Sequence, residues 1–130
     1  MTRARYRKKS GQTVTAVRLA LDTKGFIYRK WGGEQHCDGG DWIVDDDGEV
    51  HTVDADSFTA TYAMVSPGRY EKCAPVWAER ASAAGSVETK EGVTRYEAGD
   101  FVVSNDAEGD DSWAVAKDRF EATYEPLDER

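Results

Sequence analysis

The chain has 130 residues, enough for one ordinary domain or for two minimal ones sharing a core. Its 4 Trp, 6 Tyr and 4 Phe argue for a folded chain although 32% of residues are charged, and no apolar run approaches the roughly 20 residues that span a bilayer. The net charge of −8 is uneven: Arg3, Arg5, Arg7, Lys8 and Lys9 sit in residues 1–10 with no acid, leaving −13 on the rest, a body that repels phosphate backbones.

No apolar segment follows the N-terminal charges, so the expectation is a soluble, cytoplasmic protein with no membrane association. Broad nucleic-acid binding by the acidic body is therefore not expected. The basic arm at 1–10 has three possible targets, namely nucleic acid, an acidic partner and the protein's own acidic surface, but the plainest reading is a solvated tail or the start of an edge strand. Cys37 and Cys73 make no disulfide framework and read as two buried free thiols.

Residues 13–17 alternate β-branched side chains and read as a strand. Residues 19–24 extend it or form one helical turn. Residues 25–31 form a second strand, ended by Gly32-Gly33. Trp42-Ile43-Val44 shows little alternation and reads as a strand buried on both faces. Asp47-Gly48 between two apolar runs predicts a type I′ hairpin turn, with residues 49–53 as the return strand. Residues 54–58 read as a capped turn that drops Phe58 into the core, and residues 61–65 as a closing strand. Ser66-Pro67-Gly68 marks a boundary. Beyond it strands are predicted at 74–78, 86–90, 93–96, 100–103, 112–115 and 122–127, with a loop at 104–111 and a turn at 117–120.

This order is a duplication. Gly40-Asp41-Trp42-Ile43-Val44 returns 59 positions later as Gly99-Asp100-Phe101-Val102-Val103. Phe58-Thr59-Ala60-Thr61-Tyr62 returns 62 positions later as Phe120-Glu121-Ala122-Thr123-Tyr124, so the second loop carries three extra residues. Trp42 pairs with Phe101, Phe58 with Phe120, Tyr62 with Tyr124, Gly33 with Gly92, Cys37 with Tyr96, and His51 with the large aromatic Trp113. The expected fold is mostly β: a basic arm at 1–10, then two tandem SH3-like β modules at 11–66 and 67–130 related by a pseudo-two-fold. An α+β version with a short helix near Leu19 is the alternative.

Tyr6-Arg7-Lys8-Lys9, Gly40-Asp41-Trp42-Ile43-Val44, Gly48-Glu49-Val50 and Phe58-Thr59-Ala60-Thr61-Tyr62 resemble phrases of small uncharacterised phage and prophage proteins. Those proteins open on Tyr-Arg-Lys-Lys-Pro, carry a Pro-Gly-Asp-Tyr-Ile-type motif and end in Phe-x-x-Thr-Tyr-Glu, which Thr123-Tyr124-Glu125 also matches. Here Ser10, Gly39 and Ala98 stand where the pattern has proline. The resemblance implies a mobile-element origin and no reaction.

Asp41 and Asp100 are candidates for paired carboxylates across the pseudo-two-fold, although a turn Asp ordinarily bonds its own backbone. Residues 45–49 and 106–111 are acidic but lack EF-hand spacing, and His36, Cys37, His51 and Cys73 lack zinc spacing. No metal or cofactor is therefore expected. No nucleophile motif or phosphate loop is present. Trp31 and Trp77 are candidate walls of a groove between the copies, with packing as the plainer use, and His51 joins the candidate binding residues.

The leading expectation is a non-catalytic adaptor of phage or mobile-element type, monomer or homodimer, acting through an unidentified protein partner. The alternatives are an acidic DNA mimic that inhibits a nucleic-acid enzyme, and a small-molecule-binding protein or hydrolase with its site between the copies.

Overall fold

Alternation sets the strands. In β2 (Thr13–Arg18) Val14 and Ala16 turn inward while Thr15 and Val17 face out. The computed structural model describes residues 3–127. Around β2 the first half places β3 (Phe26–Lys30), β4 (Gly33–Cys37), β5 (Trp42–Asp46), β6 (Glu49–Val53), α1 (Ala55–Thr61) and β7 (Tyr62–Ser66). The second half carries β9 (Val76–Arg80), β10 (Gly85–Glu88), β11 (Val93–Tyr96), β12 (Phe101–Ser104), β13 (Ser112–Val115), α2 (Lys117–Thr123) and β14 (Tyr124–Pro126). Two further strands, β1 (Ala4–Lys8) and β8 (Arg69–Lys72), precede the halves. The chain is mostly β with two short helices. No helix among the described residues is long and apolar enough to cross a membrane.

The two five-stranded antiparallel sheets run β6–β5–β2–β8–β7 and β13–β12–β9–β1–β14. Read position by position these orders are equivalent, and the fourth strand is exchanged. β8, which opens the second half, lies between β2 and β7 of the first sheet. β1, at the start of the chain, lies between β9 and β14 of the second.

The basic stretch is thus an interior strand and not a solvated tail or an edge. Its charges are matched within the molecule: Arg7 pairs with Glu125 at 2.7 Å, Lys8 with Asp46 at 3.1 Å, and Arg3 bonds the Ala107 carbonyl at 3.0 Å. Arg5 lies 4.7 Å over the Trp77 ring. An acidic body holding its own basic strand accounts for the uneven charge.

Each exchanged strand brings a tyrosine to an aromatic stack. In the first half Trp42 stacks on Phe58 at 4.0 Å and Phe58 on Tyr62 at 4.4 Å, and Tyr70 of β8 meets Phe58 edge-on at 5.1 Å. In the second, Phe101, Phe120 and Tyr124 stack in the same way, and Tyr6 of β1 meets Phe120 edge-on at 4.9 Å. Such contacts add about 0.5–1.5 kcal/mol each beyond burial.

The repeated Gly-Asp phrase has a structural use in both halves. Asp41 accepts from the Asp38 and Ala55 amides, closing the turn before β5 and capping α1. Asp100 accepts from the Glu97 and Lys117 amides and does the same for α2. The second cap matters more, because Ala116 at the N-cap offers no side-chain acceptor. Asp47 (φ 56°) and Gly48 (φ 91°) form the expected two-residue turn, since type I′ needs positive φ twice.

Three expectations are corrected. Residues 19–24 form no helix: the segment is short, and Leu21 is exposed with no face to bury against. Trp31 is not strand but the first residue of a tight turn (φ 57°), and Gly33 does not end the sheet but begins the antiparallel return strand β4. Of the two thiols, Cys37 is buried, where desolvation pushes its pKa up to about 11, but Cys73 is exposed.

The hairpins β3–β4 and β10–β11 meet edge to edge, with Gln35 bridged to Gly92 and the His36 amide on the Glu91 carbonyl at 2.7 Å. A Cβ on Gly92 would lie 2.0 Å from the Glu34 carbonyl oxygen. Gly92→Ala is expected to cost about 2 kcal/mol in denaturant titrations, because backbone must shift to admit the methyl group. A loss below about 0.5 kcal/mol, the size of an ordinary surface change, would mean that the hairpins do not touch.

Candidate functional site

A cleft of about 360 Å³ opens where the two halves meet, within the usual range for small-ligand pockets. Both members of several duplicated pairs line it, including Tyr62 with Tyr124, Val53 with Val115 and His51 with Trp113. The exchanged strands deliver its two lysines, Lys8 from β1 and Lys72 from β8, and Arg95 and Arg119 also line it.

The two lysines are in different states. Lys8 Nζ sits 3.1 Å from Asp46 Oδ2, and the Arg119 guanidinium reaches the same oxygen at 3.0 Å. Burial by itself raises the Asp46 pKa, but Lys8 and Arg119 outweigh it and hold the carboxyl below its usual range. The 59- and 62-residue offsets between the repeated phrases give the residues aligned with this set in the other half. Asn105 stands at the position of Asp46, 59 residues on, and Ser57 at the position of Arg119, 62 residues back. At the aligned positions one lysine has an acid and the other an amide.

Lys72 is only 8% exposed. Its Nζ lies 4.2 Å over the Trp113 ring and 5.7 Å from that of Tyr62, with no hydrogen-bond acceptor among the described residues. Burial pushes its pKa down to about 7; the nearby Lys8 charge adds to the shift and Asp111 opposes it. Across the cleft Glu91 moves the opposite way, up to about 7, chiefly through burial, although its carboxylate accepts from the Asp54 amide at 2.8 Å. Opposed shifts of this size in one cleft are the pattern of a functional site.

Other cleft groups also lack partners. Thr94 Oγ1 and Asn105 Oδ1 are enclosed and make no hydrogen bond, and the enclosed His51 ring has only the Glu49 backbone near it, without a well-formed hydrogen bond at Nδ1. Burial holds the His51 pKa down at about 4, so the ring is neutral near pH 7, and it lies 5.9 Å from the Trp31 ring. Buried polar atoms left unpaired cost about 1–3 kcal/mol each, so they mark where a ligand or water is expected.

One wall invites a hydrolytic reading and does not sustain it. Ser57 Oγ donates to Asp111 Oδ2 at 2.7 Å and accepts from Lys90 Nζ at 2.9 Å. A Ser–Lys nucleophile needs a neutral lysine as base. Lys90 is partly desolvated, but Asp111 and Asp54 raise its pKa above the ordinary lysine value, so it stays charged. The trio is a charged clasp across the halves.

Of the residues singled out in the sequence, Trp31 and His51 line the cleft and Asp100 reaches its margin. Asp41 does not, because it caps its own turn and helix, and Trp77 lies under Arg5. Lys72, Glu91, Thr94 and Asn105 were missed. The available signal was the phrase Tyr6-Arg7-Lys8 returning as Tyr70-Glu71-Lys72, set beside the change from Asp46 to Asn105.

No known protein family, curated protein or solved structure matches this chain.

Asp46→Asn isolates the clamp on Lys8. It leaves a nearly enclosed ammonium without its counter-charge, and a loss of about 2–3 kcal/mol is expected in urea denaturation. The Asp46 carboxyl titrates lower in the folded state, so its stabilising share is present above the ordinary carboxylate pKa and fades as pH falls through the folded value. The gap between wild type and Asp46→Asn should narrow accordingly in acid.

Proposed function

We propose that this protein binds a small molecule in the cleft between its halves. The carrying observation is the convergence of unpartnered polar groups, Lys72 Nζ, Thr94 Oγ1 and Asn105 Oδ1, together with the His51 ring, on an aromatic-walled space of about 360 Å³. The fitting ligand has a flat apolar body for the Trp31 and Trp113 walls. It also carries an acceptor oxygen, carboxylate or carbonyl, for Lys72. At about 30 Å³ per water-sized group the cleft holds roughly a dozen.

The test is an NMR titration of the isotope-labelled full chain with a panel of small aromatic acids and carbonyl compounds, benzoate and benzaldehyde among them. Binding should shift the signals of Thr94, His51 and Trp113 together and saturate. At one hundred times the Kd it adds about 2.7 kcal/mol of stability, readable as a raised Tm. If the whole panel leaves those three residues unmoved, the cleft is not a site for this class.

A second reading, the adaptor of phage-like setting, draws on edge strand β7, where Met64 and Val65 are 62% and 57% exposed on an unpaired sheet edge. A Met64→Lys/Val65→Lys variant that loses a partner captured by the wild type would support it. The DNA-mimic reading gains less, because Asp46, Asp106 and Asp111 are engaged with groups of this chain.

A further inference from the structure

We propose that Lys72 is a covalent anchor: its Nζ forms an imine with the carbonyl carbon of a small aldehyde or ketone held in the cleft. The inference rests on the cleft reading above and goes beyond it by naming the bond and the ligand class.

The geometry carries it. Lys72 ends β8, the exchanged strand, with its backbone paired to Tyr62 of β7, and its side chain lines the cleft. The indole of Trp113 covers one side of the amine at 4.2 Å and the Tyr62 ring stands at 5.7 Å. No acceptor holds its protons among the described residues. The duplicated partner shows the alternative, because Lys8 is bound to Asp46 at 3.1 Å and that carboxylate is bound again by Arg119. An amine tied to a carboxylate is a poor nucleophile. Lys72 has no carboxylate within ion-pair reach among the described residues, Asn105 standing at the aligned position and Asp111 acting only at longer range, so its lone pair is open to react.

The groups around Lys72 set its protonation. Lys8 on β1 and Asp111 in the loop before β13 act in opposite senses, and Tyr62 stays protonated because burial raises its pKa. With a pKa of about 7, roughly half the amine is neutral at neutral pH, against less than about one part in a thousand for an ordinary lysine. In the reaction the Nζ lone pair attacks the carbonyl carbon and a C–N bond forms. The amine proton passes to the carbonyl oxygen, and the carbinolamine then loses one water to leave C=N. No oxidant or reductant enters.

The experiment treats the full chain with benzaldehyde, and separately with glyoxylate, in the presence of sodium cyanoborohydride at neutral pH. The reagent reduces each imine to a stable amine, and peptide mapping by mass spectrometry locates it. The expected result is one dominant adduct on Lys72, formed at least about tenfold faster than on the exposed Lys24. Its rate should rise with pH to a plateau above about pH 7 to 8. Labelling concentrated on exposed lysines, with Lys72 unmodified, overturns the proposal.

The Thr94 and Trp113 NMR signals separate the two possible failures. If they shift with either carbonyl compound and no Lys72 adduct forms, the covalent step is wrong while the binding cleft stands. If they stay still for every compound, the cleft reading fails and this one with it.

Discussion

A chain that starts at Gly11 should lose the fold of its second half. Removing residues 1–10 takes β1 from between β9 and β14, leaving both strands without their ladder partner. It also removes Tyr6 from the Phe101–Phe120–Tyr124 stack and Lys8 from Asp46. Tyrosine burial is worth about 2–3 kcal/mol, its aromatic contacts roughly 1 more, and a stranded carboxylate adds a further cost. The total is at least about 5 kcal/mol, the whole stability of many domains. Near-UV circular dichroism and NMR dispersion of the second-half signals should collapse.

The same segment should work when moved. β1 runs antiparallel to β14, and the Leu127 amide bonds the Arg5 carbonyl at 3.0 Å, so the first and last strands are neighbours. A circular permutant that begins at Gly11 and carries residues 1–10 after a short glycine linker at its C-terminus should fold with near-wild-type stability. If the truncated chain folds as well as the permutant, β1 is dispensable and the strand exchange does not hold the halves together.

Lys72→Met should stabilise the protein, by about 3 kcal/mol near or below neutral pH. A folded-state pKa near 7 against 10.5 is a difference of roughly 3.5 units, worth at most about 5 kcal/mol, and relaxation of the surroundings trims that. The sign follows from proton counting. Between about pH 7 and 10.5 the unfolded chain holds a proton on this amine that the folded chain lacks, so the wild type gains stability as pH rises. The cost is fully present below about pH 7. The advantage of Lys72→Met should therefore be largest in mild acid and shrink toward pH 10, in urea titrations across the range. A destabilising substitution would show that Lys72 is an ordinary structural lysine. Stability given up at one position inside a cleft is the usual mark of a residue kept for function.

How much was legible follows from which residues are apolar. Val14 and Ala16, the Gly-Asp phrases, the Asp47-Gly48 turn and the paired aromatics announce themselves by type and spacing, and they form the two sheets and both stacks. β1, β4 and β8 do not. Glu34-Gln35-His36-Cys37 buries Gln35 and Cys37 completely; Gln35 Nε2 donates to the Lys30 and Val93 carbonyls, the latter from a hairpin 58 residues away, while its Oε1 finds no partner. Arg69-Tyr70-Glu71-Lys72 carries three charges in four residues and reads as a linker. Their partners are remote strands, so nothing local reveals the pairing.

The cleft is hidden for the same reason. Lysine is almost never fully buried, so Lys72 reads as surface until the exchange places it under Trp113. What the sequence does hold is a comparison of its two repeated halves, with Lys8 paired to Asp46 and Asn105 at the position aligned with that acid.

The most direct measurement is a pH titration of the lysine Nζ and Cε signals by heteronuclear NMR in the folded, full-length chain. The account predicts that the Lys72 resonance moves with a midpoint near pH 7, as an unpaired amine enclosed in the cleft must. A midpoint near 10.5 would mean an amine that stays charged at neutral pH, and Lys72 as the anchor of the cleft would not stand.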